Sequence, residues 1–353
     1  MGQVIVSDRS LTMGLDVDSR TAYVVVRDDA TGRMVDHCRL RTTEAAWSSY
    51  LTRYPGCRIR AYYEAGCTGF GLQRMLSELG VQCSVVPASE VAKEANASRT
   101  KTDTRDAWRL SQTPWVPPHS YARIPTVEEE RDRQLIRTRE QLRKDRARTK
   151  DRIRKLLLFH GLSVPEESGS LWSTTWLAWL SGVDLGSSPF RLSVECLLSE
   201  LSHLDGLVSR IEREMRSLSR TDRYRADVVR LTSIGGVGLV TAMTFLVELF
   251  RADEFEDARQ VAAHVGFTPS EWSSGGRRRH GRITRWGAPH LRRILVEAAW
   301  RWVYVDANAG RCYQALAGRI GGKKAIVAMA RRLAIAMWAV VKKQEPYAYH
   351  WAA

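Results

Sequence analysis

The sequence has no run of about 18 uninterrupted apolar residues, the length a membrane-crossing helix needs, and this excludes a spanning segment. Residues 1–10 contain an Asp and no apolar stretch of signal-peptide length, so a cytoplasmic protein is expected. Cysteine is sparse. Cys38, Cys57, Cys67, Cys83, Cys196 and Cys312 are scattered with no Cys-x-x-Cys pair, which argues against a zinc knuckle or a disulfide framework and fits a reducing compartment. No tandem repeat is evident. Acids are the minority: 39 Asp plus Glu stand against 54 Lys plus Arg, a formal charge of +15. That excess points to a polyanion (DNA, RNA or an anionic membrane surface), and charge alone does not choose among them. The chain of 353 residues is 44% hydrophobic and 26% charged, the balance of a globular protein with two or three domains. Its twelve Trp are either core or platforms for stacking bases.

The first third alternates short β-like runs with helical ones. Leu11–Val17, Thr21–Val26 and Val35–Leu40 read as three strands joined by turns. A helix follows over Thr43–Tyr54, then strand Arg58–Tyr63, helix Gly69–Leu79, strand Val81–Val86 and helix Ser89–Ala97. Three leading strands fit an antiparallel meander, to which the alternation adds parallel strands. This is the order of a ribonuclease-H-like sheet. Pro114, Pro117, Pro118 and Pro125 mark a linker. From Glu128 to Leu158 a long helix free of Gly and Pro carries Arg143, Lys144, Arg146, Arg148, Lys150, Arg152, Arg154 and Lys155 in its second half. Its hairpin partner is expected over Leu192–Leu218, where Leu197, Leu201, Leu204, Val208, Ile211 and Met215 recur three and four apart. Ser163–Pro189 is then the tip. The last third is helical, with one interruption rich in Gly and Arg at Trp272–Gly287. The expected fold is thus α/β plus all-α. A ribonuclease-H-like (RuvC-like) domain spans 10–120, a basic helical hairpin or coiled coil 121–222, and a helical domain 223–353.

Four carboxylates stand out by position. Asp16 ends the first strand and Glu64 the fourth, and neighbouring strands would set them side by side. Asp103 and Asp106 are three apart, on one face if their segment is helical. Clustered carboxylates repel unless a hard cation sits among them, and Mg²⁺ prefers oxygen ligands and bridges carboxylates to phosphates. A strand-end Asp is also an ordinary turn residue, and an Asp-x-x-Asp an ordinary solvated face. On the residues alone, both readings stay open.

Trp272-Ser273-Ser274-Gly275-Gly276 is followed by Arg277, Arg278, Arg279, Arg282 and Arg285. Guanidinium groups are planar, permanently charged donors suited to phosphate. A Ser held among them could attack a scissile phosphate. A flexible basic loop that only binds phosphates is the plainer reading of these residues. Upstream, Ile234-Gly235-Gly236-Val237-Gly238 resembles a helix-hairpin-helix turn, in which Gly236 and Gly238 offer backbone N–H groups to a phosphate. A glycine turn between core helices explains it equally.

These segments together resemble the DEDD transposases of the insertion-sequence-110 family. Met13-Gly14-Leu15-Asp16-Val17, Tyr63-Glu64-Ala65-Gly66 and Lys101-Thr102-Asp103-Thr104-Arg105-Asp106-Ala107 resemble the three segments of that family's RuvC-like domain. The Gly-Gly-Val-Gly turn, Ala258-Arg259-Gln260-Val261-Ala262-Ala263 and Ser274-Gly275-Gly276 resemble its C-terminal transposase domain, and Lys323-Lys324-Ala325 to Glu345-Pro346-Tyr347 its end. The middle matches only in kind. The chain departs at Asp18, where His is common, and at Cys67, where Pro is common.

The resemblance implies that Asp16, Glu64, Asp103 and Asp106 bind Mg²⁺. It also implies that Ser274, with Ser273 as the fallback, forms a transient phosphoserine link to DNA. It further implies donor and target DNA chosen by a bridge RNA, a homo-oligomer (dimer assembling to tetramer), and a cytoplasmic protein associated with the nucleoid when acting. Arg143, Lys144, Arg148, Lys150, Gly236, Gly238, Arg277, Arg278, Arg279, Arg282 and Arg285 are expected to hold nucleic acid. Two other readings compete: a RuvC-like nuclease that uses metal-activated water, and a non-catalytic nucleic-acid-binding protein.

Overall fold

The computed structural model describes residues 9–87, 102–112, 122–249, 251–274, 277–285 and 287–347, with residues 272–274 and 277–280 described by their backbone. Two compact units divide between Thr126 and Val127. The first is built on β1 (Ser10–Val17), β2 (Thr21–Asp28), β3 (Met34–Arg41), β4 (Arg58–Glu64) and β5 (Gln82–Val86). Their order is β3-β2-β1-β4-β5. The first three pair antiparallel, and β4 and β5 join in parallel, as the alternation of elements predicts. The helix expected over Ser89–Ala97, and most of the proline linker, lie outside the described residues.

Period-two alternation decides which face each strand buries. Leu11, Met13 and Leu15 of β1 join Val24 and Val26 of β2 and Ala61 and Tyr63 of β4 in one core. It is covered by Trp47 and Tyr50 of α1 (Glu44–Leu51) and by Leu72 and Leu76 of α2 (Gly71–Glu78). The alternate residues Thr12, Gly14 and Asp16 face the other way. Here α3 (Asp103–Ser111) lies, capped by the Thr102 side chain accepting from the Arg105 N–H. Its Leu110 packs on Tyr62 and Val86. A Cβ added at Gly14 would stand 1.8 Å from the Ala107 carbonyl oxygen and 2.4 Å from the Ser111 nitrogen. Only Gly lets the α3 backbone come this close to the strand.

The second unit opens with a hairpin of two long helices, α4 (Val127–Phe159) and α6 (Ser188–Leu218), with the short α5 (Thr174–Gly182) between them. Three ion pairs cross-link the long helices: Arg139–Glu212 at 2.6 Å, Arg146–Asp205 at 2.5 Å and Arg152–Glu200 at 2.7 Å. One set of numbers rises as the other falls, so the helices run antiparallel. At the tip, Ile153 and Leu157 of α4 pack on Trp176 and Leu180 of α5 and on Val194 and Leu201 of α6.

The main core of this unit joins α7 (Arg225–Thr232), α8 (Leu239–Leu249), α9 (Ala258–Val265), α10 (Pro289–Val305), α11 (Ala307–Ile320) and α12 (Gly322–Lys343), with Ile136 of α4 and Met215 of α6 inserted. Trp47, Trp176 and Trp302 are fully buried. For these three, the core reading of Trp holds. The interruption expected between helices is in part a β-hairpin, β6 (Pro269–Ser274) with β7 (Arg277–Ile283). All six cysteines are unpaired. No helix among the described residues is long and apolar enough to cross a membrane.

One buried carboxylate ties three helices of this core. Glu248 of α8 is 3% exposed. It accepts two hydrogen bonds from the Arg137 guanidinium of α4, at 2.8 and 2.9 Å, and its Oε1 lies 3.0 Å from His290 Nε2 of α10. Burial opposes its ionisation, but the hydrogen bonds and charges of Arg137 and His290 outweigh that cost and hold its pKa down at about 2. Glu248→Ala is expected to destabilise this unit by about 1.5–3 kcal/mol, because the charged hydrogen bonds from Arg137 are lost while its part-exposed guanidinium turns to water. Thermal melts at neutral pH should show a drop of roughly 5 °C. A pKa lowered on folding contributes stability above the ordinary carboxylate value of 4.5 that is lost as pH falls toward 2. The wild-type and Glu248→Ala melting temperatures should therefore converge over that interval.

Candidate active site

The parallel pairing of β1 with β4 ends at Leu15 opposite Tyr63. Asp16 and Glu64 are the next residues on each strand, so the two acids stand at adjacent strand ends. Both leave on the face opposite the Leu15 and Tyr63 core, the face that carries α3. Asp16 is half-buried and Glu64 exposed.

The position of α3 follows from three contacts. Its Ser111 carbonyl accepts from Arg27 Nε at 3.0 Å, and Arg27 pairs with Thr12 in the β1–β2 register. Ala107 lies over Gly14. Asp103, at the other end, forms an ion pair with Arg39. Arg39 pairs with Tyr23, which pairs with Asp16, so one row crosses the sheet from Asp16 to Arg39. The helix therefore runs antiparallel to β1 and brings its acidic first turn to the end of the sheet where Asp16 and Glu64 stand. Asp103 is exposed and Asp106 half-buried.

Oxygen donors of this kind suit a hard divalent cation. In this arrangement, however, Asp103 is engaged by Arg39, and Asp106 Oδ1 lies 3.4 Å from Arg109 Nη1. Among the described residues no three Asp, Glu, His or Cys side chains are grouped to hold a metal ion. The acids share one end of the sheet without closing on a centre. Sequence reasoning missed Arg39, and with it Tyr23, whose hydroxyl lies 2.9 Å from His37 Nδ1. Two-residue periodicity assigns faces within a strand, but only the register across three strands puts Arg39 in the row of Asp16.

Ser274 ends β6 and pairs with Arg277, the first residue of β7; Ser273 pairs with Arg278 and Trp272 with Arg279. The hairpin thus sets the serine pair beside the arginine run in backbone register. Gly275 and Gly276, between the strands, lie outside the described residues. Arg282 and Arg285 are exposed. The Ser270 hydroxyl donates to the Arg282 carbonyl at 3.0 Å and braces the base of the hairpin.

The basic side chains of α4 are more engaged than their spacing suggests. Arg143 donates two hydrogen bonds to Glu140, Lys144 Nζ lies 3.9 Å from Glu140, and Arg148 pairs with Asp145. Lys150 Nζ stands 4.9 Å from the centre of the Trp172 ring. Lys144 and Arg148 nonetheless stay 58% and 73% exposed. Gly236 and Gly238 occupy the turn between α7 and α8. Gly236 has φ +87°, and an added Cβ would meet the Trp302 nitrogen of α10 at 2.6 Å, whereas Gly238 has open space.

Residues 13–161 match a model of DEDD transposases of the IS110 group, described as a transposase, and residues 228–314 match the transposase IS116/IS110/IS902 family. The transposase for insertion sequence element IS1533 of Leptospira borgpetersenii is 23% identical over 96% of this chain and 97% of its own length. The transposase for insertion sequence element IS1111A of Coxiella burnetii is 24% identical over 95% of this chain and 90% of its own. With the two matched regions in order along the chain and relatives aligned nearly end to end, the chain belongs to the IS110 family of transposases.

Proposed function

We propose that this transposase excises and inserts its own insertion sequence through a phosphoserine–DNA intermediate, guided by a bridge RNA. Ser274 is the nucleophile. Its Oγ bonds to the scissile phosphorus as a sugar oxygen leaves and takes up a proton. A DNA hydroxyl later attacks the same phosphorus, releases Ser274 and reseals the backbone, so phosphodiester energy is retained. Arg277, Arg278, Arg279, Arg282 and Arg285 stabilise the charge that builds on the phosphate. The observation that carries this reading is the backbone register of Ser274 against Arg277 in a hairpin whose return strand is basic.

Residues 10–120 serve as a RuvC-like domain in which Asp16, Glu64, Asp103 and Asp106 hold Mg²⁺. For this the two Asp of α3 exchange Arg39 and Arg109 for the ion. Bound there, Mg²⁺ would supply positive charge at the phosphate oxygens. Residues 121–222 form the basic hairpin, on which Arg143, Lys144, Arg148 and Lys150 meet nucleic-acid backbones. Residues 223–353 form the transposase domain, with a helix-hairpin-helix element at Gly236 and Gly238. Base pairing of the guide selects donor and target DNA. The protein works as a dimer that assembles to a tetramer, in the cytoplasm at the nucleoid.

The test is to incubate the full chain with Mg²⁺, the RNA transcribed from the element's non-coding end, and end-labelled donor DNA, then denature it. A labelled protein band that protease removes is expected. Nicked DNA with no covalent protein would overturn the reading in favour of a nuclease that uses water.

A further inference from the structure

A cavity of about 330 Å³ opens in the second unit between α4, α8 and α10. Arg139 and Arg143 of α4, Arg293 and Glu297 of α10, and Val240 and Thr241 of α8 are among the residues that line it. Three features suit it to an anion. Three guanidiniums from two helices converge on it. Val240 and Thr241, in the first turn of α8, line it, so the positive end of that helix dipole is close by. And the arginines are held in place rather than waving in solvent. Glu140, with its side chain 8% exposed, accepts from Arg143 at 2.9 and 3.0 Å and from Arg293 at 2.6 Å, so one buried carboxylate fixes two cations. Arg139 is fixed in the same way by Glu212. Arg293 is held on both sides: its second terminal nitrogen, Nη1, donates to Glu297 at 2.6 Å, and its Nε is buried without a hydrogen-bond partner.

We infer that this cavity is a binding site for a backbone phosphodiester of nucleic acid, held between the Arg139, Arg143 and Arg293 guanidiniums and the N-terminus of α8. It deepens the proposed function by naming a fixed phosphate seat away from the serine hairpin, and it rests on that reading only for the presence of nucleic acid. A planar fork anchored at one edge keeps its other N–H groups aimed, so little side-chain entropy is lost when the phosphate arrives. Behind the arginines, the cations also keep Glu140 ionised. Burial opposes its charge, but Arg143 and Arg293 overcome this and hold its pKa down at about 2. The carboxylate therefore still anchors both arginines at any pH where nucleic acid is intact.

The test is equilibrium binding by fluorescence anisotropy on the full chain in EDTA. Two labelled probes of mixed sequence are used: a 30-nucleotide single-stranded RNA and a 30-base-pair duplex DNA. Arg143→Gln and Arg293→Gln are expected to weaken one or both probes by about ten-fold, and to lower the slope of log K against log salt by roughly 0.7 on single strands or 0.9 on duplex for each phosphate lost. The probe affected identifies whether RNA or DNA sits there. Val240→Glu gives a second reading that removes no member of the existing arginine ion pairs. A carboxylate in the first turn of α8 suits the helix but fills the phosphate seat with like charge, so the same loss is expected. Wild-type affinity and slope on both probes for all three variants would overturn the assignment. Ser274→Ala should bind both probes as wild type does, so failure of the phosphate seat and failure of the serine mechanism are read separately.

Discussion

Ser274→Ala is expected to lower strand transfer by about 10⁴-fold or more and to remove the covalent protein–DNA band entirely, with DNA affinity unchanged. The size follows from the role. Without the hydroxyl no ester to phosphorus forms, and loss of a nucleophile in a covalent mechanism costs orders of magnitude that neighbouring groups do not recover. Binding is kept because it rests on the arginines. Ser273→Ala should keep the band, since Ser273 pairs with Arg278 one register step further from the turn. A surviving band in Ser274→Ala together with its loss in Ser273→Ala would move the nucleophile by one residue. Survival in both would end the serine mechanism. Gel analysis of protease-sensitive label decides among these outcomes.

Gly14→Val is expected to abolish both the fold of the first unit and all transposition. The added Cβ would fall 1.8 Å from the Ala107 carbonyl oxygen and 2.4 Å from the Ser111 nitrogen. These are backbone atoms of α3, so no side chain can swing aside, and relief requires the helix to leave the strand. Overpacking of a tight interior costs typically 1–3 kcal/mol when neighbours adjust, and more when they are fixed. Displacing α3 would also carry Asp103 and Asp106 away from the strand ends that hold Asp16 and Glu64. Circular dichroism melts should show the transition of this unit missing or shifted far down. Gly71→Ala is the control, because nothing lies within 4 Å of a Cβ there and the residue starts α2. A Gly14→Val protein that melts like wild type would mean that α3 does not rest on β1.

The strands of the first unit were readable because each alternates apolar and polar residues over a length a strand needs. The long helices were readable, α4 as a charged stretch free of Gly and Pro and α6 because Leu, Val, Ile and Met recur at three and four. The β6–β7 hairpin escaped. Its two strands are rich in Ser and Arg, with Ile283 the one β-branched residue, so little in its composition announces pairing. The two ends of the acidic set were equally legible, as strand-end and helix-start positions. Their engagement by Arg39 and Arg109 was not, since Arg39 comes from a strand 64 residues before Asp103. The same holds on α4. Arg139, Arg146 and Arg152 look like a solvated basic face until α6 brings Glu212, Asp205 and Glu200 across to them. Charge counted along one helix overstates what remains for nucleic acid, because acids far along the chain have already claimed part of it.

Those three cross-links have a mechanical consequence. Spaced over Arg139 to Arg152 of α4, they mark one register of the two helices, since a slip of one turn would unseat all three together. Between Ile136 in the main core and Leu157 at the tip, α4 advances about 32 Å at 1.5 Å per residue. The hairpin is a ruler of fixed length: whatever its tip grips is held at a set distance from the serine-bearing domain, and a whole-turn insertion in both helices would lengthen that distance by about 5 Å.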